Sequence, residues 1–184
     1  MIRSITVLAA LFCLVIALSV PAQSQGTKAF SIGAEFSYPT GDWGDVASLG
    51  FGGSASFQYG WKPNFDLLFN SGYLLWNGKD EAPGYDYSWS AIPLQFGGKY
   101  YFGASSSRPY CGAWAGFYFF NYKSEDQNLG VNISDSDAKF SFAPFLGYEY
   151  KFNPKVAFDL NARYQYVTDD LTNFGFRTGF VFGL

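Results

Sequence analysis

Eight charged side chains lie in segments of the sequence where polar and apolar residues alternate. They are four acids and four bases: Glu35, Asp66, Glu149, Asp159, Lys99, Lys151, Arg163 and Arg177. Alternation places such residues together on one face of an extended strand. Charges packed into a narrow interior must be paired, because an unpaired buried charge is costly. We therefore predict a buried salt-bridge network of Glu35, Lys99, Glu149, Asp159, Arg163 and Arg177.

The sequence leaves two functions open for this network. It is either an ion path or a polar plug that fills the interior of a narrow fold. We favour the plug, with Arg163 and Arg177 on neighbouring strands and Glu35 on the strand that closes against the last one.

Other chemistry has little support in the sequence. The chain has no histidine, which removes the most frequent general base and metal ligand. No serine or carboxylate lies in a recognisable catalytic motif, and Cys111 fits a small packing residue better than a nucleophile. We expect no enzymatic activity, no catalytic residue, no cofactor and no metal site. Acidic clusters such as Asp80-Glu81 could bind Ca²⁺ or Mg²⁺, although solvated carboxylates are the favoured interpretation.

Residues 1–24 have the pattern of a secretory signal peptide. Arg3 is followed by an apolar run from Ile5 to Val20, and Ala22-Gln23-Ser24 gives small residues at a cleavage site. A transmembrane anchor and a lipoprotein modified at Cys13 are less favoured alternatives. Cleavage would leave residues 25–184 as a single domain.

The composition indicates a protein with much dry surface and no spanning helix. The chain has 21 Phe, 14 Tyr and 5 Trp, while charged residues are only 15%. No segment after the signal peptide approaches the roughly 18 to 20 apolar residues that a spanning helix needs. Inside lipid every backbone polar group needs a partner, so a closed β-barrel is the remaining spanning structure.

Eight segments alternate with the period of a strand. They are Phe30–Tyr38, Gly53–Trp61, Phe65–Leu75, Trp89–Phe102, Tyr110–Tyr122, Phe140–Phe152, Val156–Val167 and a C-terminal strand over 176–184. The third and fifth are apolar on both faces, so their register stays open. Pro93 and Pro144 lie inside two of the strands, and we expect a bulge or an interrupted ladder near each.

The connections between these segments differ in length and charge. Short ones at 62–64, 103–108 and 153–155 carry bases and no acids, and eleven of the 15 acids lie in the other connections. Outer-membrane barrels have short periplasmic turns and longer outer loops. Aromatic residues near the strand ends, among them Trp76, Tyr101 and Tyr110, are expected to form belts at the two membrane interfaces.

The C-terminal strand carries a pattern of its own. Arg177, Gly179, Phe182 and Leu184 follow the order polar, glycine, apolar, apolar. This pattern resembles the C-terminal assembly signal of bacterial outer-membrane β-barrels, although many of those end in Phe. Segments 92–102 and 109–116 also resemble the bacterial outer-membrane β-barrel domain family, whose broader relatives are the small OmpA-type and OmpX-type barrels.

This resemblance implies an all-β fold: an eight-stranded antiparallel up-and-down transmembrane β-barrel, preceded by a cleaved signal peptide. It implies a location in the bacterial outer membrane and a structural or surface-binding role, with a narrow pore or small-solute transporter as the alternative. The missing histidine speaks against the His-dependent enzymes built on similar scaffolds. The implied partners are outer-membrane lipid, lipopolysaccharide and the barrel-assembly machinery, and no nucleic acid. We expect a monomer with outer loops at 41–50, 77–87 and 123–138.

Overall fold

The computed structural model describes residues 25–79, 85–103, 105–126 and 131–184. Its strands are β1 (Lys28–Pro39), β2 (Gly50–Lys62), β3 (Phe65–Asn77), β4 (Tyr85–Tyr101), β5 (Ser107–Asp126), β6 (Val131–Asn153), β7 (Val156–Val167) and β8 (Asn173–Gly183). One short helix, α1 (Asp42–Val46), lies between β1 and β2. The predicted signal peptide and Asp80-Glu81 lie outside the described residues. Among the described residues, no helix has the length and apolar character needed to cross a membrane.

The eight strands close into one antiparallel barrel in chain order. Each strand pairs with the strands before and after it, and β1 closes against β8 from Ala29↔Gly183 to Pro39↔Asn173. This confirms the predicted eight-stranded up-and-down barrel. β1 begins and β8 ends at the rim that carries the short turns. The first and the last strand residues of the barrel therefore lie at the same rim.

The apolar residues face outward along the strands. On β4, for example, Phe96 is 68% exposed, whereas its neighbour Gln95 is 1% exposed. The same alternation appears on β1, β7 and β8. An apolar outer face and a polar inner face are what a barrel needs when lipid surrounds it.

Seven of the eight strands are longer than the alternation predicted, and β4, β5 and β6 are the longest. β5 has 20 residues and β6 has 23, and their pairing continues from Tyr122↔Asp135 to Asp126↔Val131. β4 follows them with pairs that include Tyr85↔Asp126. A membrane strand needs about 9–11 residues, so these strands rise beyond the bilayer. The prediction that 123–138 is a loop was therefore wrong, since most of it is a hairpin.

Both prolines interrupt a ladder on one side only. The β3–β4 pairs pass from Ser71↔Leu94 to Leu74↔Ala91, without a pair at Pro93. The β6–β7 pairs likewise pass over Pro144. The register is unchanged across both gaps, and the opposite side of each proline stays paired. The expected interruption is thus present at each proline, because proline has no N–H to donate.

Candidate functional site

A charge network lies at the middle height of the barrel interior. Glu35 on β1 is paired in register with Arg177 on β8. Arg163 Nη2 lies 2.8 Å from Glu35 Oε2, and Arg177 Nε lies 3.6 Å from Glu35 Oε1. Arg177 also donates from Nη1 to Asp159 Oδ1 at 2.9 Å. All four side chains are buried, so two acids offset two bases inside the barrel.

Hydroxyl groups donate and accept further hydrogen bonds to these charges. Ser54 donates to Glu35 Oε1 at 2.5 Å and accepts from Arg177 Nε at 2.9 Å. Ser31 accepts from Arg177 Nη2 at 2.9 Å. The Tyr110 hydroxyl donates to Asp159 Oδ2 at 2.7 Å. Buried ions are tolerated when such additional hydrogen bonds satisfy them.

A second cluster lies closer to the short turns and centres on Glu149. Lys99 Nζ lies 3.2 Å from Glu149 Oε2, and the Tyr101 hydroxyl donates to the same oxygen at 2.7 Å. Arg108 donates from Nη2 to Glu149 Oε1. Lys99 Nζ also lies 4.7 Å from the ring centroid of Tyr101 and 4.6 Å from that of Tyr110, which adds a cation–π contribution.

The six predicted network residues are therefore all inside the barrel, and they belong to two clusters. The cluster at middle height contains Glu35, Asp159, Arg163 and Arg177. The second cluster, closer to the short turns, contains Lys99 and Glu149. The sequence did not assign Arg108 to the interior, because it follows a short polar turn. The interior position of Arg108 follows only from the pairing of β5 with β6, which places Arg108 opposite Glu149.

Aromatic residues also fill part of the interior, which the alternation did not predict. Trp76, Tyr101 and Tyr110 were expected at the membrane interfaces, but each is almost fully buried inside the barrel. Trp76 shares its strand face with Asp66, and Tyr110 shares its own with Arg108. Of the two apolar faces of β3 and of β5, one therefore lines the interior of the barrel.

The outer third of the interior is occupied by an apolar cluster. Trp43 of α1 packs against Trp76 with ring centroids 5.1 Å apart, and against Phe120 at 6.2 Å. The cluster is completed by Ala47, Leu74, Ala91, Tyr118 and Val167. Helix α1 therefore carries an indole from the first outer connection into the mouth of the barrel. No helix was predicted at 42–46, because an element of only five residues is too short to show a periodic pattern.

Little open space remains between the two charge clusters. A cavity of about 20 Å³ is lined by Glu35, Asp159, Arg163, Arg177 and neighbouring side chains. That volume accommodates about one water molecule. A larger space of about 520 Å³ opens at the rim with the short turns, and we call it the inner vestibule.

The outer rim carries charged groups above the last β6–β7 pair. Lys139 lies 2.9 Å from Asp137 Oδ2 and also contacts Asp169. The hydrogen bond from Lys139 holds the pKa of Asp137 below its usual range. Hydrogen bonds to Asp169 and Asp137 raise the pKa of Lys139. Asp137 and Lys139 therefore stay charged at neutral pH, and the contact of Lys139 with Asp169 ties the β6 side of the rim to the β7–β8 connection.

No metal-binding cluster is found in the described ranges. No group of three or more His, Cys, Asp or Glu residues there is arranged to hold a metal ion. The buried carboxylates of Glu35, Glu149 and Asp159 are each held by a guanidinium or ammonium group. Such pairing leaves none of these three poised as a general base.

The four residues of the C-terminal pattern lie on both faces of β8 and at its end. Arg177 and Gly179 point into the barrel, and Phe182 and Leu184 are exposed on the outside. Gly179 faces Gly33 across the β1–β8 pairing. A Cβ atom at Gly179 would lie 2.7 Å from the Cα of Gly33, so the seam where the barrel closes requires glycine there.

A comparison with protein-family models agrees with this architecture. The model of the outer membrane protein β-barrel domain matches residues 10–183. The chain belongs to this family. Membership of this family places the protein in the bacterial outer membrane, where its eight strands are transmembrane. A comparison with curated protein sequences finds no match.

Solved structures of small outer-membrane barrels share the fold. Ail, the attachment invasion locus protein of Yersinia pestis, in complex with the heparin analogue sucrose octasulfate, has a TM-score of 0.66 at 16% identity, over 88% of this chain and 100% of that one. Neisserial surface protein A has 0.60 at 19%, over 84% and 94%. The N-terminal β-barrel domain of Pseudomonas aeruginosa OprF has 0.52 at 17%, over 87% and 100%.

Proposed function

We propose that this outer-membrane barrel has a structural and surface-binding role, with an interior closed to solutes and without enzymatic activity or a cofactor. The observation that carries the proposal is the wall formed by β4, β5 and β6, which rises beyond the membrane on one side of the barrel. Strands of 20 and 23 residues are about twice the length needed to span. Their outer parts are therefore available to partners.

The edge of this wall supports binding of another chain. β6 pairs with β7 only up to Ser141↔Val167, although it continues outward to Val131. The segment from 131 to 139 is paired with β5 alone among the described strands, since the carbonyl of Phe140 still accepts from the backbone N–H of Thr168 at 3.0 Å. A strand with one unpaired side is a template for an added strand from a partner.

The contacts inside the barrel support a closed interior rather than a pore. The apolar cluster around Trp43 lies at the outer end, and the Glu35 and Glu149 clusters lie below it. An ion would have to displace paired charges and then cross a dry aromatic layer, and both steps are unfavourable. We therefore favour the plug over the pore or transporter.

The charge of the outer face supports a cationic partner. The exposed acids on the described outer connections outnumber the lysines: Asp42, Asp45, Asp135, Asp137, Asp169 and Asp170, against Lys79, Lys123 and Lys139. The Ail structure contains a sulfated polyanion. A polyanion would be repelled by the acid-rich face of this chain, whereas a basic peptide would be attracted.

Three further parts of the proposal concern export of the protein, its assembly into the membrane and its contacts there. Residues 1–24 would be removed as a signal peptide, which leaves the barrel domain 25–184. Arg177, Gly179, Phe182 and Leu184 would be read by the barrel-assembly machinery. The apolar belt would contact outer-membrane lipid and lipopolysaccharide as a monomer, without a nucleic-acid partner.

The test is a binding titration on the barrel in nanodiscs of zwitterionic lipid. The probes are a fluorescent lysine-rich peptide and sucrose octasulfate. A shortened variant replaces residues 124–133 by Asn-Gly, which joins the Lys123↔Ser134 pair through a two-residue hairpin turn. We expect the peptide to bind, and the variant to bind about tenfold more weakly at low salt because it loses acids and wall surface.

A control variant, Lys62→Gln, changes a charge at the opposite rim and should bind like the wild type. Tighter binding of sucrose octasulfate than of the peptide would reject the cationic partner. Unchanged binding by the shortened variant, with its barrel still folded, would reject the wall as the binding surface.

A further inference from the structure

We propose that the inner vestibule is a binding site for a phosphate group. This space of about 520 Å³ lies at the rim with the short turns, opposite the wall, so the proposal does not depend on the surface-binding role. Its charged lining consists of Lys28, Arg108, Lys151, Lys155, Asp66 and Glu149. The lining therefore has four bases and two acids.

One of the two acids, Glu149, is already engaged by cations on its own side of the vestibule. Glu149 holds both Lys99 and Arg108 and accepts from Tyr101. Asp66 is paired in register with Lys99, but no described ammonium or guanidinium group lies within 4.0 Å of its carboxylate, so one carboxylate remains against the three lysines of the lining. No described carboxylate lies within 4.0 Å of the ammonium group of Lys28, Lys151 or Lys155. The vestibule thus keeps an excess of positive charge.

Lys151 is the central residue of this excess. It lies two positions after Glu149 on β6, so both side chains point into the barrel. Lys151 is half-buried, whereas Lys28 and Lys155 are exposed at the rim. A partly desolvated ammonium group without a counterion is unfavourable. Binding of an anion beside Lys151 would remove that cost.

The size and donor set fit a phosphate-bearing molecule. Small-molecule sites typically have volumes of about 300–1,000 Å³. Lysine ammonium groups bind phosphate as point charges from several directions. Two sources of phosphate reach this rim, the headgroups of the inner leaflet and soluble phosphate compounds of the periplasm. They share the same chemistry at Lys151, and the experiment separates them.

The experiment measures backbone amide chemical shifts of the folded barrel at constant ionic strength. In one arm, the protein in zwitterionic detergent is titrated with pyrophosphate. In the other arm, nanodiscs of phosphatidylcholine are compared with nanodiscs that contain phosphatidylglycerol. We expect saturable shifts around Lys151 and Arg108, and a Lys151→Gln variant about tenfold weaker in affinity because it loses one charge-assisted hydrogen bond.

Lys62→Gln is the matched control. Lys62 is a lysine at the same rim, its ammonium lies 4.7 Å from the Trp61 ring, and it does not line the vestibule. Its affinity should stay within about twofold of the wild type, since distant surface charges are screened. Shifts with pyrophosphate that depend on Lys151 support a soluble ligand, and shifts only with phosphatidylglycerol support a lipid headgroup. Absence of saturable shifts in both arms, or equal losses in the two variants, overturns the site.

Discussion

Glu35 holds together two arginines that lie on different strands. Arg163 comes from β7 and Arg177 from β8, and both reach the same carboxylate on β1. The remaining acid of the cluster, Asp159, contacts Arg177 at 2.9 Å. Removing Glu35 would leave two buried guanidinium groups with a single carboxylate. The cluster therefore behaves as a unit in which the carboxylate of Glu35 matters most.

We predict that Glu35→Gln destabilises the barrel by about 3–5 kcal/mol, as expected when one partner of a buried ion pair is removed. The measurement is the free energy of unfolding in guanidinium chloride for protein in lipid vesicles. Asp170→Asn is the control. Asp170 is an exposed residue in the left-handed region at φ 58°, which asparagine also tolerates, so its cost should stay within about 0.5 kcal/mol.

A double variant separates the charge effect from a packing effect. Glu35→Gln leaves Arg163 without a carboxylate, because Asp159 stays paired with Arg177. Arg163→Met added to Glu35→Gln removes that uncompensated cation, so the loss of stability in the double variant should be smaller than the sum of the two single losses by about 1–3 kcal/mol. Strictly additive losses would contradict the idea that the two residues act as one ion-pair unit.

At the scale of elements, the clearest strands in the sequence were those with lipid on one side and the charged interior on the other. β7 has the predicted bounds, Val156–Val167, because apolar and polar residues alternate along its whole length. β3 and β5 line the interior with apolar residues as well, so alternation could not fix their faces. In the outer part of β6, residues 135–138 are exposed on both faces of the strand, which removes the apolar alternation that marks a membrane strand.

Side-chain positions in the interior were predictable only in part. The alternation along a strand places Glu35, Arg163 and Arg177 inside. It places Trp76 on the same face of β3 as Asp66, but the sequence did not indicate which of the two apolar faces of β3 points inward. The interior position of Trp43 could not be predicted from the sequence, because Trp43 enters the barrel from α1, an element of five residues. Such a short helix is stabilised by its tertiary contacts and not by propensity.

We predict that Trp43→Ala loses stability and yet stays closed to ions. The loss should be about 3–5 kcal/mol, since a buried tryptophan that contacts Trp76 and Phe120 is removed. The Glu35 and Glu149 clusters lie below that level and remain intact. Planar-bilayer recordings should therefore show no steady conductance for the wild type or for the variant. A steady, reproducible conductance of the wild type would reject the plug. A conductance in Trp43→Ala alone would mean that the apolar cluster around Trp43, and not the charge clusters, closes the barrel to ions.

At the scale of the whole molecule, closure of the barrel depends on the seam between β1 and β8. Closure removes the unpaired edges that would otherwise meet lipid. The seam has eleven register pairs, and Gly33↔Gly179 is near its centre. A side chain at Gly179 would overlap the carbonyl oxygen of Ile32 and crowd Gly33. The sequence pattern that resembles an assembly signal thus includes a residue with a separate role in the closed barrel.

We predict that Gly179→Val prevents closure, while Thr178→Val does not. Thr178 is the next residue on β8 but faces outward, where a valine of the same shape suits lipid. Each purified variant is refolded into detergent and run on a denaturing gel before and after boiling, without assembly machinery, so that the result reports closure and not recognition in the cell. The wild type and Thr178→Val should change migration on boiling, because a closed barrel resists detergent unfolding, and Gly179→Val should not. A fast-migrating, compact band for Gly179→Val before boiling would contradict this prediction. It would mean that β1 can move away from β8 at this point, so that the seam needs no glycine. The role of Gly179 would then lie in assembly alone.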